Sequence, residues 1–202
     1  METEYYKKLR ERFKKLELAF LPSTFSPTGD YPDDSVFEHA RAYKVMTHAE
    51  LEYYFEEIAK SIAKKAFDEW KNNHPTKALV ALVAYYPGAF DPIPELAKGN
   101  NAQKTLDVRI NDALTSYYRY IQSENHGIKE KNILHIFLPL GIQIDEIPPD
   151  LLIFANNYGA TRGEIAHSTR TQKILQPEDA KKDADEILKY VQQFDELLNT
   201  YL

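Results

Sequence analysis

An all-α fold is predicted on three grounds. Apolar residues recur at three- and four-residue spacing through most of the 202 residues, prolines and glycines cluster between those stretches, and no segment alternates well enough for a strand. Ile142 to Ile147 comes nearest to alternation and is short. No internal repeat or low-complexity tract interrupts the pattern, and the length suits one medium domain with a real core.

Taken in order, residues 3–20 carry Tyr6, Leu9, Phe13, Leu16 and Phe20, one apolar stripe on a helix. Leu21 to Asp34 gathers Pro22, Pro27, Gly29 and Pro32, which predicts a loop. Ser35-Val36-Phe37-Glu38 has capping-box spacing and opens a long helix reaching about Asn72. Asn72-Asn73-His74-Pro75-Thr76 breaks it before a short apolar helix over Lys77 to Tyr86. Pro87 to Asn101 reads as a loop, and 103–123 as a strong helix closed by Asn125-His126-Gly127 in a left-handed glycine turn. A short helix over 129–138, a connector from Gly141 to Pro149, a helix from near Asp150 and a closing helix from Pro177 to Tyr201 complete the reading. Residues 1–34 form an N-terminal helix and loop, and 35–202 a core bundle.

Composition narrows the function. The 25 Lys+Arg against 31 Asp+Glu give a net charge of −6, so a polyanion would need a local basic patch. The absence of cysteine excludes thiolate zinc sites, disulfides and cysteine nucleophiles. No apolar run approaches the roughly 20 residues that span a bilayer, and Met1-Glu2-Thr3-Glu4 does not open a signal peptide. A soluble, cytoplasmic protein with no membrane partner is expected.

Chemistry concentrates in Tyr158-Gly159-Ala160-Thr161-Arg162-Gly163-Glu164-Ile165-Ala166-His167-Ser168. A guanidinium is a forked cation suited to phosphate oxygens, and an imidazole moves protons near neutral pH. With seven arginines and six histidines, about one R-x(4–6)-H match is expected by chance, and the chain holds three. Arg41 and His48 share a helix face beside Glu52, which reads as a polar stripe. Arg119 and His126 run off a helix end. Arg162 and His167 differ: small residues between them admit a ligand. Gly159 and the Thr161 to Glu164 spacing predict a kink or restart that puts Arg162 at a helix N-terminus, where phosphate is favoured. Ser168, Thr169, Arg170 and Lys173 add donors. On an unbroken helix a five-residue step turns about 140°, so either the helix is interrupted or a second copy completes the site.

Among other features, the pairs Tyr5-Tyr6, Tyr53-Tyr54, Tyr85-Tyr86 and Tyr117-Tyr118 read as core and rim packing. Tyr158, four residues before Arg162, is the tyrosine placed to stack on a base. His48 and Glu52, at i and i+4, lack further ligands at compatible spacing and read as polar support to the Arg-His site rather than a metal site.

Arg162-Gly163-Glu164-Ile165-Ala166-His167 resembles the R-x(4–6)-H signature of HEPN domains, in the "R…AH" form of the RiboL-PSP-HEPN family. The stretch from Ala42 through Glu52 is similar to that family's first core helix. Gly127-Ile128-Lys129 through Asn132-Ile133, then Leu140-Gly141-Ile142 with Asp145 and Glu146, resembles its lead-in to the signature. The resemblance covers roughly residues 36–200. It implies a HEPN-like helical bundle with an additional N-terminal helix and short accessory helices, forming a homodimer. It also implies a metal-independent endoribonuclease acting on RNA without a cofactor, in a toxin, antiviral defence or RNA-processing role, with an antitoxin or regulatory protein as a further partner. A catalytically inactive relative that binds RNA, nucleotide or a partner protein is the alternative. Arg162 and His167 are the implied catalytic pair, with Tyr158, Glu164, Ser168, Arg170, Lys173, His48 and Glu52 as substrate-binding or supporting residues. A polar residue commonly follows the family's arginine; here it is Gly163, and Glu164 or Ser168 would supply the polar group.

Overall fold

A computed structural model describes residues 1–86, 105–167 and 174–202, with backbone alone for 161–167. Seven α-helices run in order: α1 (Glu4–Phe20), α2 (Ser35–Lys71), α3 (Lys77–Tyr85), α4 (Leu106–Ser123), α5 (Glu130–Phe137), α6 (Pro149–His167) and α7 (Pro177–Leu198). Short 3-10 turns cover Leu138–Leu140 and Ile144–Glu146. The described residues contain no strand; the Ile142 to Ile147 segment is one of these turns, with Glu146 accepting from the Gln143 N–H.

α2 organises the bundle, because every other helix packs on it. At 1.5 Å per residue it is about 55 Å long. A helix enclosed on several sides cannot keep one apolar stripe, and α2 buries Ala40, Tyr43, Leu51, Phe55, Ile58, Ala59, Ile62, Ala63 and Ala66 around much of its circumference. Its alanines let neighbours approach closely. At the centre, Phe137 of α5 stacks edge-on against Phe55 of α2 at 5.9 Å and Phe194 of α7 at 4.9 Å.

α1 buries Tyr6, Leu9, Phe13 and Leu16, the predicted stripe, against α2 and α7. It is clasped at its start by Asp195 of α7, a carboxylate with no exposed surface. Asp195 accepts from the Thr3 N–H (2.8 Å), the Thr3 hydroxyl (2.5 Å) and the Tyr54 hydroxyl (2.7 Å). Thr3 also caps the helix by accepting from the Tyr6 N–H.

The expected capping box at Ser35 is absent. Asp33 holds the start of α2 instead, accepting from the Ser35 N–H at 2.9 Å and its hydroxyl at 2.6 Å, while Glu38 lies 3.7 Å from Arg41. An aspartate two residues upstream competes for the serine that would otherwise cap the turn. The left-handed turn at Gly127 is present, with φ 103°. Gly141 is also left-handed, and a side chain there would crowd Lys77. The closing helix ends at Leu198 rather than Tyr201, with a turn over Asn199–Tyr201.

Three of the four tyrosine pairs place one ring in the core (Tyr6, Tyr54 and Tyr117) and its neighbour at the rim or in solvent. Among the described residues no helix is long and apolar enough to cross a membrane.

Candidate functional site

α6 determines where the Arg-His segment lies. Its buried line runs through Leu151, Leu152, Ala155 and Tyr158 toward α2, continuing at Gly159. The helix is unbroken from Pro149 to His167, so the predicted kink or restart does not occur. Gly159 is not left-handed, unlike Gly29, Gly127 and Gly141. Its missing side chain serves close packing: a Cβ there would lie 3.0 Å from Lys129 Cγ and 3.8 Å from His48 Nε2. With no break at Gly159, Thr161 has no free N–H groups to cap, and Arg162 lies in the C-terminal part of α6. The N-terminal dipole that sequence spacing offered to a phosphate at Arg162 is therefore withdrawn.

At 100° per residue, position 162 falls about 40° around the axis from Tyr158 and continues the buried line past Gly159. Position 167 falls about 140° from it, in line with Ala160 and Ile153, both exposed. One α6 thus carries the signature arginine and histidine on different sides. Arg162, Glu164 and His167 are placed at the level of the helix backbone. Ser168, Arg170 and Lys173 lie outside the described residues.

Tyr158 departs from its expected role. It is 1% exposed, its hydroxyl is 2.6 Å from the Thr47 hydroxyl, and the Lys44 ammonium sits 3.5 Å above its ring. Burial pushes this phenol far above the usual tyrosine range. Its position on the inward line makes it a core residue, closed to an RNA base. Lys44 is itself buried, pairs with Asp183 at 2.6 Å, and is held below the usual lysine value by desolvation that the carboxylate only partly offsets.

His48 and Glu52 do meet α6. His48 is 3% exposed, its Nδ1 lies 4.0 Å from Glu52 Oε2, and its Nε2 side approaches Gly159, one turn before Arg162. Glu52 Oε1 also accepts a short hydrogen bond from the Gly127 N–H. That bond draws the α4–α5 connection onto α2 and encloses a cleft of about 420 Å³, walled by His48, Glu52, His126, Lys129, Lys131 and Gly159. Among the described residues no group of three or more histidines and carboxylates is arranged to hold a metal ion.

The other two R-x(4–6)-H pairs part company. Arg41 is buried beside Glu38, whereas His48 turns to the cleft. Arg119 lines a separate groove with Tyr120 and His135, while His126 faces the cleft. Sequence reading missed His126, Lys129 and Lys131 as cleft residues, because they read only as a helix end and the next helix start. The available signal was three basic side chains within six residues around a turn glycine, in an acidic chain.

Residues 7–200 match the family model described as RiboL-PSP-HEPN. The chain belongs to the RiboL-PSP-HEPN family. No curated protein and no solved structure matches it. RiboL-PSP-HEPN membership fits the helical bundle observed, including the extra helix α1, whose residues from Lys7 onward fall inside the match. It also brings an RNA-related or nuclease role at the level of the family, which includes both ribonucleases and inactive members.

Proposed function

We propose that this RiboL-PSP-HEPN protein is a metal-independent endoribonuclease whose site is completed across a homodimer. The observation that carries the reading is the seating of α6: within the family match, the signature arginine position follows Gly159 by one turn, beside the His48–Glu52 cleft. In the reaction, Arg162 holds the scissile phosphate and stabilises charge growing on its oxygens. His167 takes the proton of the ribose 2′-hydroxyl, whose oxygen attacks the adjacent phosphorus. The P–O5′ bond breaks, and the leaving oxygen takes a proton from solvent, to which the protonated His167 then returns its own. The products are a 2′,3′-cyclic phosphate and a 5′-hydroxyl. His48, oriented by Glu52, supports the site from α2. A toxin or defence effector restrained by an antitoxin or regulatory protein, working in the cytoplasm, is the setting this chemistry fits.

One feature favours a second reading. Gly163 stands where the family commonly has a polar residue, which fits a member that binds RNA, nucleotide or a partner protein without cutting. The experiment incubates the pure protein with varied RNAs in EDTA, beside Arg162→Ala, His167→Ala and an equal mixture of the two variants. Cleavage by the wild type, loss in each variant and partial recovery in the mixture are expected. If Arg162 and His167 come from different subunits, random exchange gives up to about a quarter of wild-type activity, because half the dimers regain one of two sites. Cleavage that survives His167→Ala would refute the mechanism. Binding without cleavage by the wild type would select the second reading.

A further inference from the structure

We propose that the cleft beside Gly159 seats a phosphate of the RNA strand next to the one that is cut, held by Lys129 and Lys131. The inference rests on the ribonuclease reading for its substrate and adds a binding subsite to it.

Charge is the first ground. His126, Lys129 and Lys131 are exposed, and among the described residues neither lysine forms an ion pair. The three lie within six residues of one another in a chain of net charge −6. The carboxylate in the cleft wall, Glu52, is already engaged by the Gly127 N–H and by His48. An anion entering here therefore meets two ammonium groups that no described carboxylate pairs with, against the single negative charge of Glu52.

Rigidity is the second. Asn132 is buried and its amide donates to Asn125 Oδ1 at 3.1 Å and to the His126 carbonyl at 3.0 Å. The start of α5 is tied to α6 by the Glu130 N–H donating to Asn156 Oδ1, and by Asn156 Nδ2 returning to Glu130 Oε2, each at 3.0 Å. The lysine backbones are thus fixed before any ligand arrives, which lowers the ordering cost of binding.

Position is the third. The Lys129 stem crosses α6 where Gly159 lacks a side chain. Position 162 is three residues onward, a rise of about 4.5 Å along the axis. A strand whose scissile phosphate lies on Arg162 would bring a neighbouring phosphate over the cleft.

The test uses the full chain and a fluorescent 2′-O-methyl decaribonucleotide, which lacks the nucleophilic hydroxyl and so reports binding alone. Each phosphate contact to a single strand contributes about 0.7 to the slope of log affinity against log salt. Lys129→Gln with Lys131→Gln should therefore lower that slope by about 1.4, and between 50 and 200 mM salt the wild type should lose about sevenfold more affinity than the double variant. Lys129→Arg should behave as wild type. Lys64→Gln with Lys65→Gln, on the exposed side of α2, should leave the slope near its original value. In parallel, the wild type should cleave a trinucleotide with a lower KM than a dinucleoside monophosphate, and the Lys129/Lys131 double variant should not distinguish them. An unchanged slope in that variant, or an equal fall in the Lys64/Lys65 control, overturns the subsite while leaving cleavage intact. Wild-type binding that weakens in the double variant without any RNA being cut supports the subsite and refutes the ribonuclease reading.

Discussion

Gly159→Ala separates packing from function at the cleft. Alanine is about 1 kcal/mol better than glycine in a helix interior, which favours the variant. The added methyl would lie 3.0 Å from Lys129 Cγ, against an ordinary carbon–carbon contact of about 3.5–4.0 Å. Its next neighbours, Lys129 Cε at 3.6 Å and His48 Nε2 at 3.8 Å, are at normal contact. The conflict is therefore with one exposed, flexible stem, and moving it off its preferred rotamer costs about 0.5–1.5 kcal/mol. The two effects nearly cancel, so stability should change by no more than about 1 kcal/mol, or roughly 2–4 °C in Tm for a chain of this size. Lys129 meanwhile swings away from the cleft, and oligonucleotide affinity should fall several-fold. Thermal melting and fluorescence anisotropy on the same preparations read both quantities. In a Lys129→Ala background the conflict is gone, and Gly159→Ala should stabilise by nearly the full helix-propensity gain, a double-mutant coupling of about 0.5–1.5 kcal/mol. A Tm lowered by more than about 6 °C in the single variant would mean that backbone or His48 blocks the methyl. That result would refute the account of why residue 159 is glycine.

Asp195→Asn should lower stability by about 2–4 kcal/mol, because an amide nitrogen turned toward Thr3 or Tyr54 leaves a buried donor without its acceptor. Melting should fall by roughly 4–16 °C, with RNA cleavage below the transition unchanged, since Asp195 joins α1 to α7 away from the cleft. Alkaline pH should unfold the protein between pH 10 and 12. Burial raises the phenol of Tyr6 to about 12 and those of Tyr54 and Tyr117 well above 10. A proton held more tightly in the folded state stabilises fully below pH 10, and that contribution is lost as pH rises toward the folded value. Absorbance of phenolate from these buried rings should therefore appear only with loss of helix. Ionisation of Tyr6, Tyr54 and Tyr117 before any loss of helix would contradict this.

The helices were legible because each writes its burial into its own spacing: Tyr6, Leu9, Phe13 and Leu16 predict α1, and Ile110, Leu114, Tyr117 and Ile121 predict α4. Boundaries and caps were less so, because competing side chains such as Asp33 act from outside the motif. Gly159 shows the limit at the site. A glycine before a threonine with capping spacing signals a break when only neighbours in sequence are weighed. Its actual use is contact with His48 and Lys129, which lie 111 and 30 positions away. The joining of Glu52 to Gly127, 75 residues apart, is likewise a tertiary fact with no local trace. Tyr158 differs from expectation for a related reason: closeness in sequence to Arg162 suggests closeness to a ligand, whereas its place on the inward line of α6 buries it.

On the proposal that the protein is a ribonuclease, the continuity of α6 constrains how its site is assembled. Five residues apart on an ideal helix, positions 162 and 167 have Cα atoms about 8–9 Å apart and side-chain directions diverging by about 140°. General base catalysis needs hydrogen-bond reach, roughly 3 Å, to a hydroxyl whose phosphate is simultaneously bound by the arginine. A long arginine tolerates such a displacement better than a short histidine does. In that proposal one chain therefore brings its phosphate-binding position to the cleft side and its proton-carrying position to the outer side, and the two are matched only when the outer side of one α6 faces the cleft side of another. A two-fold axis near the end of α6 satisfies both chains at once. On this account the broken helix that sequence spacing suggested is unnecessary, and activity should depend on protomer concentration in the way that dimerisation does.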